Sequence, residues 1–318
     1  MAFLTGSGAS LRIGKEDAFG TAAEASTLVD ITAESVSVSV EKGDEGSLLA
    51  SKTPQTRDLL GVTVDGSFSF ILRPEGAALI THAALGGDEK HTENAGEGTH
   101  THEFNLCGPA ETLPSLTLLV DRKASVKKYA GVTVSAFTLE CAAGDYVKGS
   151  VDIKGVKEEA GERSAGASTF TIPAYRCTSA VFKVGDEVFD ISSATFKVDN
   201  SLEDAPRTYA SGLYAGQPQH AQRSVTISFE IPYSGDVDAF RDRYLVSEEN
   251  VSVRLLFTSS DREKQKYEIY MPHVSISGVN ASVGGTGALT ASVEGEALSV
   301  GSVEPLTIRI TNTSAEAV

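Results

Sequence analysis

The residues best suited to chemistry are two histidines separated by one position, His100 and His102. Residues i and i+2 of a β-strand project from the same face, so this pair could present two imidazoles to a metal ion. No cysteine pair lies nearby to complete a four-ligand site. We therefore predict no metal centre.

Other catalytic patterns are missing from the sequence, which has no GxSxG, GxGxxG, Walker A or HExxH motif. The glycine-rich residues 284–287 are followed by neither a lysine nor a helix-forming segment, so a hairpin turn is a better interpretation than a phosphate-binding loop. The carboxylates are numerous but scattered, which favours no paired acid and base. We predict a protein that is not an enzyme and binds no cofactor.

Composition narrows the class of protein further. The 318 residues suffice for two domains, and a formal charge of −16 argues against binding nucleic acid by neutralising its phosphates. Thirty glycines and no tryptophan, with abundant Ser, Thr and Val, favour strands and turns. Cys107, Cys141 and Cys177 are odd in number and match no metal-site spacing, so we predict buried, reduced thiols. We expect neither a signal peptide nor a membrane span.

Alternation of apolar and polar residues predicts the elements that organise the first half. Strands are expected at residues 36–41, 62–72 and 147–154. Residues 116–120 and 132–139 predict a strand pair with a bulge near Ala136. A proline at position 74 and glycines at 86 and 87 predict a short helix between them.

The pattern of the first half recurs in the second. The matched segments, in order, are residues 30–32 with 190–192, 67–70 with 226–229, 74–85 with 235–245, 118–120 with 255–257, and 152–155 with 292–295. Five matches in one order predict an internal duplication. The alternative is chance similarity, because alternating strands resemble one another.

The duplication sets the domain boundaries that we expect. We place a first domain at residues 1–160, with an N-terminal arm and an insertion at 88–110. A linker follows at 161–173, and a second domain occupies 174–318. The arm and the segment 156–173 are rich in small or charged residues, so we expect them to become ordered only on assembly.

Several spaced motifs resemble those of phage tail tube proteins. They are a THxF element at residues 101–104, LPSLT at 113–117, YxGxxVxxFTL at 129–139, and an AFGTA opening at 18–22 that is similar to the family's GFGTA. The family comprises the major tail proteins of long-tailed phages and related tail-like particles. The resemblance covers most of the first half.

The resemblance implies an all-β fold with one short helix per domain, in which duplicated sandwich or barrel domains contribute strands to a ring-wide barrel. It implies a structural virion protein that polymerises into stacked rings around a DNA conduit. A two-domain decoration or adhesin protein of the virion is the alternative.

The implied partners are the chain itself, in rings of three with pseudo-sixfold symmetry or, alternatively, of six, and the tape measure, tail terminator and baseplate proteins. DNA would pass without specific binding, no membrane is involved, and assembly would occur in the host cytoplasm.

The polar faces of the strands are the candidates for lining such a lumen. In the first half they are Ser37, Ser39, Glu41, Thr63, Asp65, Ser67, Ser69, Lys148, Ser150, Asp152 and Lys154. In the second half they are Lys197, Asp199, Thr226, Ser228, Glu230, Ser275, Ser277, Thr290, Ser292 and Glu294. Small hydroxyls dominate, and six acids outnumber three lysines.

Two long segments, residues 42–60 and 201–222, are predicted to be equivalent loops that contact neighbouring chains or rings. They exceed the length of ordinary hairpin loops. Their apolar residues are the candidate contacts, namely Leu48, Leu49, Leu59, Leu60, Leu213 and Tyr214. The alternative is that each loop folds over its own domain.

Overall fold

The computed structural model describes residues 5–44, 46, 53, 56–165, 169–259, 262–281 and 289–315. The strands are β1 (Ser10–Lys15), β2 (Thr27–Val29), β3 (Ile31–Glu34), β4 (Ser37–Gly43), β5 (Asp58–Ile71), β6 (Lys90–Asn94), β7 (Thr99–Asn105), β8 (Leu116–Asp121), β9 (Val126–Ala142), β10 (Lys148–Gly155), β11 (Lys157–Ala160), β12 (Tyr175–Val184), β13 (Glu187–Val188), β14 (Ser193–Asp199), β15 (Leu202–Glu203), β16 (Gln219–His220), β17 (Ser224–Pro232), β18 (Val251–Ser259), β19 (Arg262–Ala281), β20 (Thr290–Ala297) and β21 (Thr307–Asn312). The helices are α1 (Pro74–Leu85) and α2 (Gly235–Arg241), and a π-helical segment, Asp242–Val246, continues α2. The all-β prediction, with a short helix in each half, is confirmed.

Eight strands form one long antiparallel sheet in the order β4, β5, β10, β9, β14, β17, β20, β19. Strand β3 precedes β4 along the same edge of β5. Side chains alternate between a buried face and a solvent face, as in β5, where Val64, Phe68 and Phe70 are buried. We call β4, β5, β10 and β9 the first unit, and β14, β17, β20 and β19 the second unit.

Two flanking sheets cover the apolar face of the long sheet. The first has the order β2, β1, β8, β9, β11, and the second has the order β13, β12, β18, β19, β21, β7, β6. The long strands β9 and β19 take part in both layers, because one end of each pairs in the long sheet and the other in a flanking sheet. One hydrophobic cluster includes residues from both units.

Helix α1 packs against β2, β7, β9 and β21. Pro74 stands at its first turn, and Gly86 ends it with φ of 80°, a left-handed conformation that suits glycine. The Gly86 N–H donates to the carbonyl of His82. Inside the core, the hydroxyls of Thr81 and Tyr267 lie 2.9 Å apart, which ties the helix to β19. The predicted helix is confirmed.

Irregularities of pairing recur between the two units at a constant spacing. In the first unit, the bulge between β9 and β10 is flanked by Val134, Ala136, Asp152 and Ile153. In the second unit, the bulge between β19 and β20 is flanked by Ile276, Gly278, Glu294 and Gly295. Each of these residues follows its counterpart by 142 positions. A second bulge between β8 and β9 recurs between β18 and β19, where the β9 residues Tyr129 and Val132 match Met271 and Val274 at the same spacing. The bulge predicted near Ala136 is confirmed.

The N-terminal arm and the segment 156–173 both contain strands that pair within the single chain, and their ordering on assembly stays a prediction. Strand β1 pairs with β2 and β8, and Leu11 and Ile13 are fully buried. Strand β11 pairs with β9 inside the segment 156–173, just before the predicted linker. Farther along, Glu75 accepts hydrogen bonds from the backbone of Thr171 and Ile172. Neither strand was predicted, because four to six residues are too few to establish an alternating pattern.

The predicted loop 42–60 and insertion 88–110 also contain strand residues. Strand β4 continues to Gly43 and β5 begins at Asp58, which shortens the connection between them. The insertion forms the hairpin of β6 and β7, and β7 pairs with β21 near the end of the chain. The hairpin therefore belongs to the flanking sheet that covers the second unit. The proposed division into two domains stays a prediction.

Candidate functional site

The histidines singled out in the sequence lie in the β6–β7 hairpin and contact one another and nearby polar groups. His91 stacks on both His100 and His102 with ring centroids 5.1 Å apart, and its Nε2 lies 3.0 Å from Nδ1 of His100. Buried His102 contacts Glu89 through Nδ1 at 2.6 Å and the Ser314 carbonyl through Nε2 at 3.0 Å. Among the described residues, no group of three or more histidine, cysteine or acidic side chains could hold a metal ion.

The three cysteines are buried and carry free thiols, as predicted. Cys107 lies beside Arg223, whose guanidinium contacts its Sγ and also donates to the Leu85 carbonyl at 3.1 Å. Cys141 and Cys177 both line a small cleft beside β14. Neither helix in the described part of the chain is long and apolar enough to cross a membrane.

The solvent face of the long sheet brings together the residues predicted to line a lumen. Cross-strand pairing joins Ser69 to Ser150, Lys197 to Thr226, and Glu230 to Ser292. Pairing also sets Ser37 opposite Asp65, and Ser228 opposite Glu294. These residues are exposed or half-buried, whereas the residues between them along each strand are mostly buried. The structure thus assembles the predicted polar set from separate strands onto one continuous face.

Some residues of this polar face were missed from the sequence. They are Ser35, Thr138, Glu140, Ser193, Thr195 and Glu296, which pair directly with members of the predicted set or with one another. Thr138 and Glu140 lie on β9, where the sequence analysis considered only the apolar residues of the strand at 132–139. The alternation of Ala136, Thr138 and Glu140 was the signal that could have identified them.

Charges on the polar face are partly paired. The ammonium of Lys197 lies 3.0 Å from Asp199, and that of Lys154 lies 2.8 Å from Asp204. Lys148 contacts the carboxylate of Asp145, and this hydrogen bond lowers the pKa of Asp145 below its ordinary value. Such exposed pairs contribute little to stability. Their main effect is to neutralise the lysines, which leaves the face acidic.

The segment 201–222 lies against the first unit rather than over its own strands. Arg207 binds Glu41 at 2.6 Å, and the Val62 N–H donates to the Leu213 carbonyl at 3.0 Å. Tyr214 also forms a parallel bridge with Val62. The segment thus crosses the ends of strands β10, β5 and β4, and lines a cleft of about 410 Å³ with Thr63 and Asp65.

The remaining loop candidates are placed as follows. Leu59 and Leu60 lie at the start of β5 and are exposed. Leu213 and Tyr214 are also among the exposed large apolar residues, and lie in the crossing segment described above. Leu48 and Leu49 lie outside the described residues. Contact of these side chains with other copies stays a prediction.

The two units join at an internal junction, where β9 pairs with β14 in an antiparallel register from Ala136–Asp199 to Ala142–Ser193. Buried Asn200 fastens its end, since its backbone N–H donates to Ser135 and its side-chain amide donates to the carbonyls of Ala84 and Val134. Val198 and Phe137 face each other across this junction and are fully buried.

The long sheet ends at two unpaired edges. In the described part of the chain, no strand pairs with the outer side of β4, and residues 275–281 of β19 pair only with β20. Val38 and Val40 on β4 are 37% and 49% exposed. The matching positions beside the internal junction, Val198 and Asn200, are fully buried.

Comparison with known proteins supports one family. The model of a family described as "Phage tail tube protein" matches residues 6–297, which is nearly the whole chain. The search of curated proteins found no match to the chain.

Proposed function

The chain belongs to the phage tail tube protein family, and from that premise we propose that its copies close into rings of three, which stack into the hollow DNA conduit of a phage tail. Membership of the family makes the chain a structural component of the virion tail. The ring, the conduit and the number of chains are our proposal.

One observation carries the proposal: a single chain builds an eight-stranded sheet that has one polar face and, within the described residues, two unpaired edges. An open sheet with long unpaired edges invites association with other chains, and closure into a barrel removes those edges. The apolar face is already covered by the flanking sheets and α1, so the polar face is the one free to meet a water-filled lumen.

Strand number supports rings of three. Three chains with eight strands each would form a barrel of 24 strands, made of six pseudo-equivalent units. With strands about 4.8 Å apart and tilted by about 40°, such a barrel has a backbone diameter of about 48 Å. Side chains narrow that opening, and a DNA duplex still fits.

The acidic character of the polar face suits a passage. Phosphates are repelled by a wall of weak negative charge, so a moving duplex would not be arrested there. Small hydroxyl side chains, among them Ser69, Ser150 and Thr226, add no strong anchoring group. We assign no enzymatic step to this face.

Native mass spectrometry and negative-stain microscopy of the purified protein test the ring. We expect particles of three chains, or stacked tubes with three chains in each layer. Rings of six chains would refute the trimer but keep the conduit. A protein that stays monomeric, or that binds only to preformed capsids, would overturn the proposal in favour of a decoration protein.

Charge reversal tests the conduit separately from assembly. We expect the triple substitution Asp65→Lys, Glu230→Lys and Glu294→Lys to leave tubes intact and to slow or block DNA ejection. A control variant reverses two exposed acids on other surfaces, Glu97→Lys and Glu187→Lys. Unchanged ejection from intact triple-mutant tubes would show that these residues do not face the passing DNA.

A further inference from the structure

We propose that the two unpaired edges of the long sheet pair with each other between copies of this chain, in the register already built at the internal junction. The inference rests on the proposed function, since it requires that copies associate. It adds which strands meet, in which direction, and which residues stand opposite one another.

The recurring bulges supply the equivalence on which the register depends. Strand β19 repeats β9 at a spacing of 142 residues. Strand β17 repeats β5 at a spacing of 161, as their pairing with β10 and β20 shows. Ser37 on β4 pairs with Asp65 on β5, and Lys197 on β14 pairs with Thr226 on β17. Strand β14 therefore repeats β4 at a spacing of 160. The edge offered by β19 is therefore the counterpart of the edge of β9 that already holds β14.

Transferring the internal register to the unpaired edges gives one alignment. At the internal junction, Val198 stands opposite Phe137, and Lys197 opposite Thr138. The corresponding pairs between copies are Val38 with Val279, Ser37 with Asn280, and Ser39 with Gly278. The strands run antiparallel, so the polar faces of adjacent chains continue into each other.

Backbone polarity at β4 agrees with this alignment. The Ser35 N–H donates to the Ser67 carbonyl on β5. Successive residues of a strand direct their backbone N–H and C=O groups to opposite sides. Val38 and Val40, at odd distances from Ser35, therefore direct these groups to the unpaired edge. The Asn200 N–H donates to the bulged residue Ser135, and by the same spacing the Val40 N–H would donate to Ser277 of another copy.

At one end of the alignment, the backbone groups of the edge strand already have hydrogen-bond partners within the same chain. At Val36, the N–H donates to Glu34 and the carbonyl accepts from Arg122 at 2.6 Å, so this residue needs no partner at the edge. Val36 would stand opposite Ala281, where β19 ends. The shared segment thus begins at Val38, where the exposed apolar side chains begin.

Disulfide trapping tests the register. Ser37 and Asn280 would form a non-hydrogen-bonded pair with Cα atoms about 4.5 Å apart, within the range that a disulfide spans. Within one chain the two edges are separated by seven strand spacings, about 34 Å, so only separate copies can be linked. After mild oxidation of assembled protein, we expect the S37C/N280C variant to give covalent dimers and trimers that reductant removes.

Two matched variants control this experiment. The T138C/K197C variant places the same pair at the internal junction, where we expect an intrachain disulfide without assembly. The E41C/N280C variant moves one cysteine four residues along β4, about 13 Å, and we expect at least tenfold less product. Each single-cysteine variant checks for links between identical edges, and the native thiols are buried.

The outcomes separate the register from the function. Rings that form without the S37C/N280C link, while T138C/K197C links normally, would overturn the register and leave the proposed function standing. Predominant links in the N280C single variant would likewise overturn it. Failure of the unsubstituted protein to form rings would overturn both.

Hydrogen exchange gives a reading that no substitution can disturb. Comparing free subunits with assembled protein, we expect the amides of Val38 and Val40 to exchange at least a hundredfold more slowly after assembly. The Ser39 amide points toward β5 and serves as the internal control. Unchanged exchange at Val38 and Val40 in assembled rings would contradict the pairing.

Discussion

The strands at the unpaired edges, β4 and β19, are the counterparts of β14 and β9, which pair with each other at the internal junction. Where β9 meets β14, Val198 is buried and Asn200 fastens the backbone of the neighbouring strand. At the edge of β4, the matching Val38 and Val40 are exposed. When a neighbouring strand covers such an edge, the apolar side chains become buried and the backbone N–H and C=O groups of the edge strand become hydrogen-bonded.

The comparison also separates folding from assembly. Contacts at the internal junction form within one chain and belong to its stability, whereas contacts at the unpaired edges can form only between chains. The same substitution at matched positions should therefore harm different properties.

The largest contrast is expected from an aspartate at matched valines. Val198→Asp places a charge in the fully buried internal junction, and we expect loss of the folded, soluble chain, a cost above about 4 kcal/mol. Val38→Asp should leave a monomer that melts within about 2 °C of the parent but forms no rings. Circular dichroism and negative-stain microscopy measure the two effects. A V38D chain that assembles normally would break the comparison.

A smaller contrast is expected two residues further along the same strands, at Asn200 and its counterpart Val40. Asn200→Ala removes the amide that donates to the carbonyls of Ala84 and Val134 at 3.0 and 2.9 Å. We expect the free energy of unfolding to fall by about 2 kcal/mol. Val40→Ala at the exposed counterpart should change the free energy of unfolding of the subunit by less than about 0.5 kcal/mol. Denaturant titration of both monomers decides, and equal losses would contradict the contrast.

A weak effect is expected where the segment 201–222 crosses the first unit. Arg207→Ala removes the exposed pair with Glu41, which contributes about 0–1 kcal/mol. We expect faster hydrogen exchange at the Val62 amide, which donates to the Leu213 carbonyl, and little change in melting temperature. Arg243→Ala, which removes a remote exposed pair with Glu249, serves as the control. Unchanged exchange at Val62 would show that Arg207 does not hold the segment.

The smallest effect is a pH dependence at the unpaired edge. The hydrogen bonds from Arg122 hold the pKa of Glu34 below its ordinary value of 4.5. A lowered pKa in the folded state means that this pair stabilises the edge above pH 4.5 and loses its effect as the pH falls through the folded-state pKa. We expect the Val36 amide to lose protection as the pH falls below 4.5 and through the lowered pKa of Glu34, and Glu34→Gln to abolish that dependence.

The internal junction provides the reference for the pH experiment. Ala194 occupies the position that corresponds to Glu34, so no carboxylate acts there. Protection of the junction amides should not change over the same pH interval. Loss of protection at both places would indicate general acid unfolding instead.

Much of the sheet could be predicted from the sequence, because alternation reports which face of a strand is buried. The strand at 62–72, the α1 helix between Pro74 and Gly86, and the bulge near Ala136 followed from local patterns. The polar face followed as well, since every second residue of a half-buried strand must meet water.

Register was harder, because a slip of two residues preserves the face. The sequence aligned residues 67–70 with 226–229, whereas pairing with β10 and β20 aligns Ser67 with Ser228. The assignment of faces survived the error. Strand pairing between distant segments, as at β9 and β14, leaves no local trace in the sequence, so neither the internal junction nor the unpaired edges could be predicted.

Joining two units in one chain also bears on how a ring would begin to form. In a ring of three, half of the six seams are already closed when the chain folds, at an effective concentration that no free subunit reaches. Nucleation then depends on the third power of chain concentration rather than the sixth. Tubes could therefore start at lower subunit concentrations.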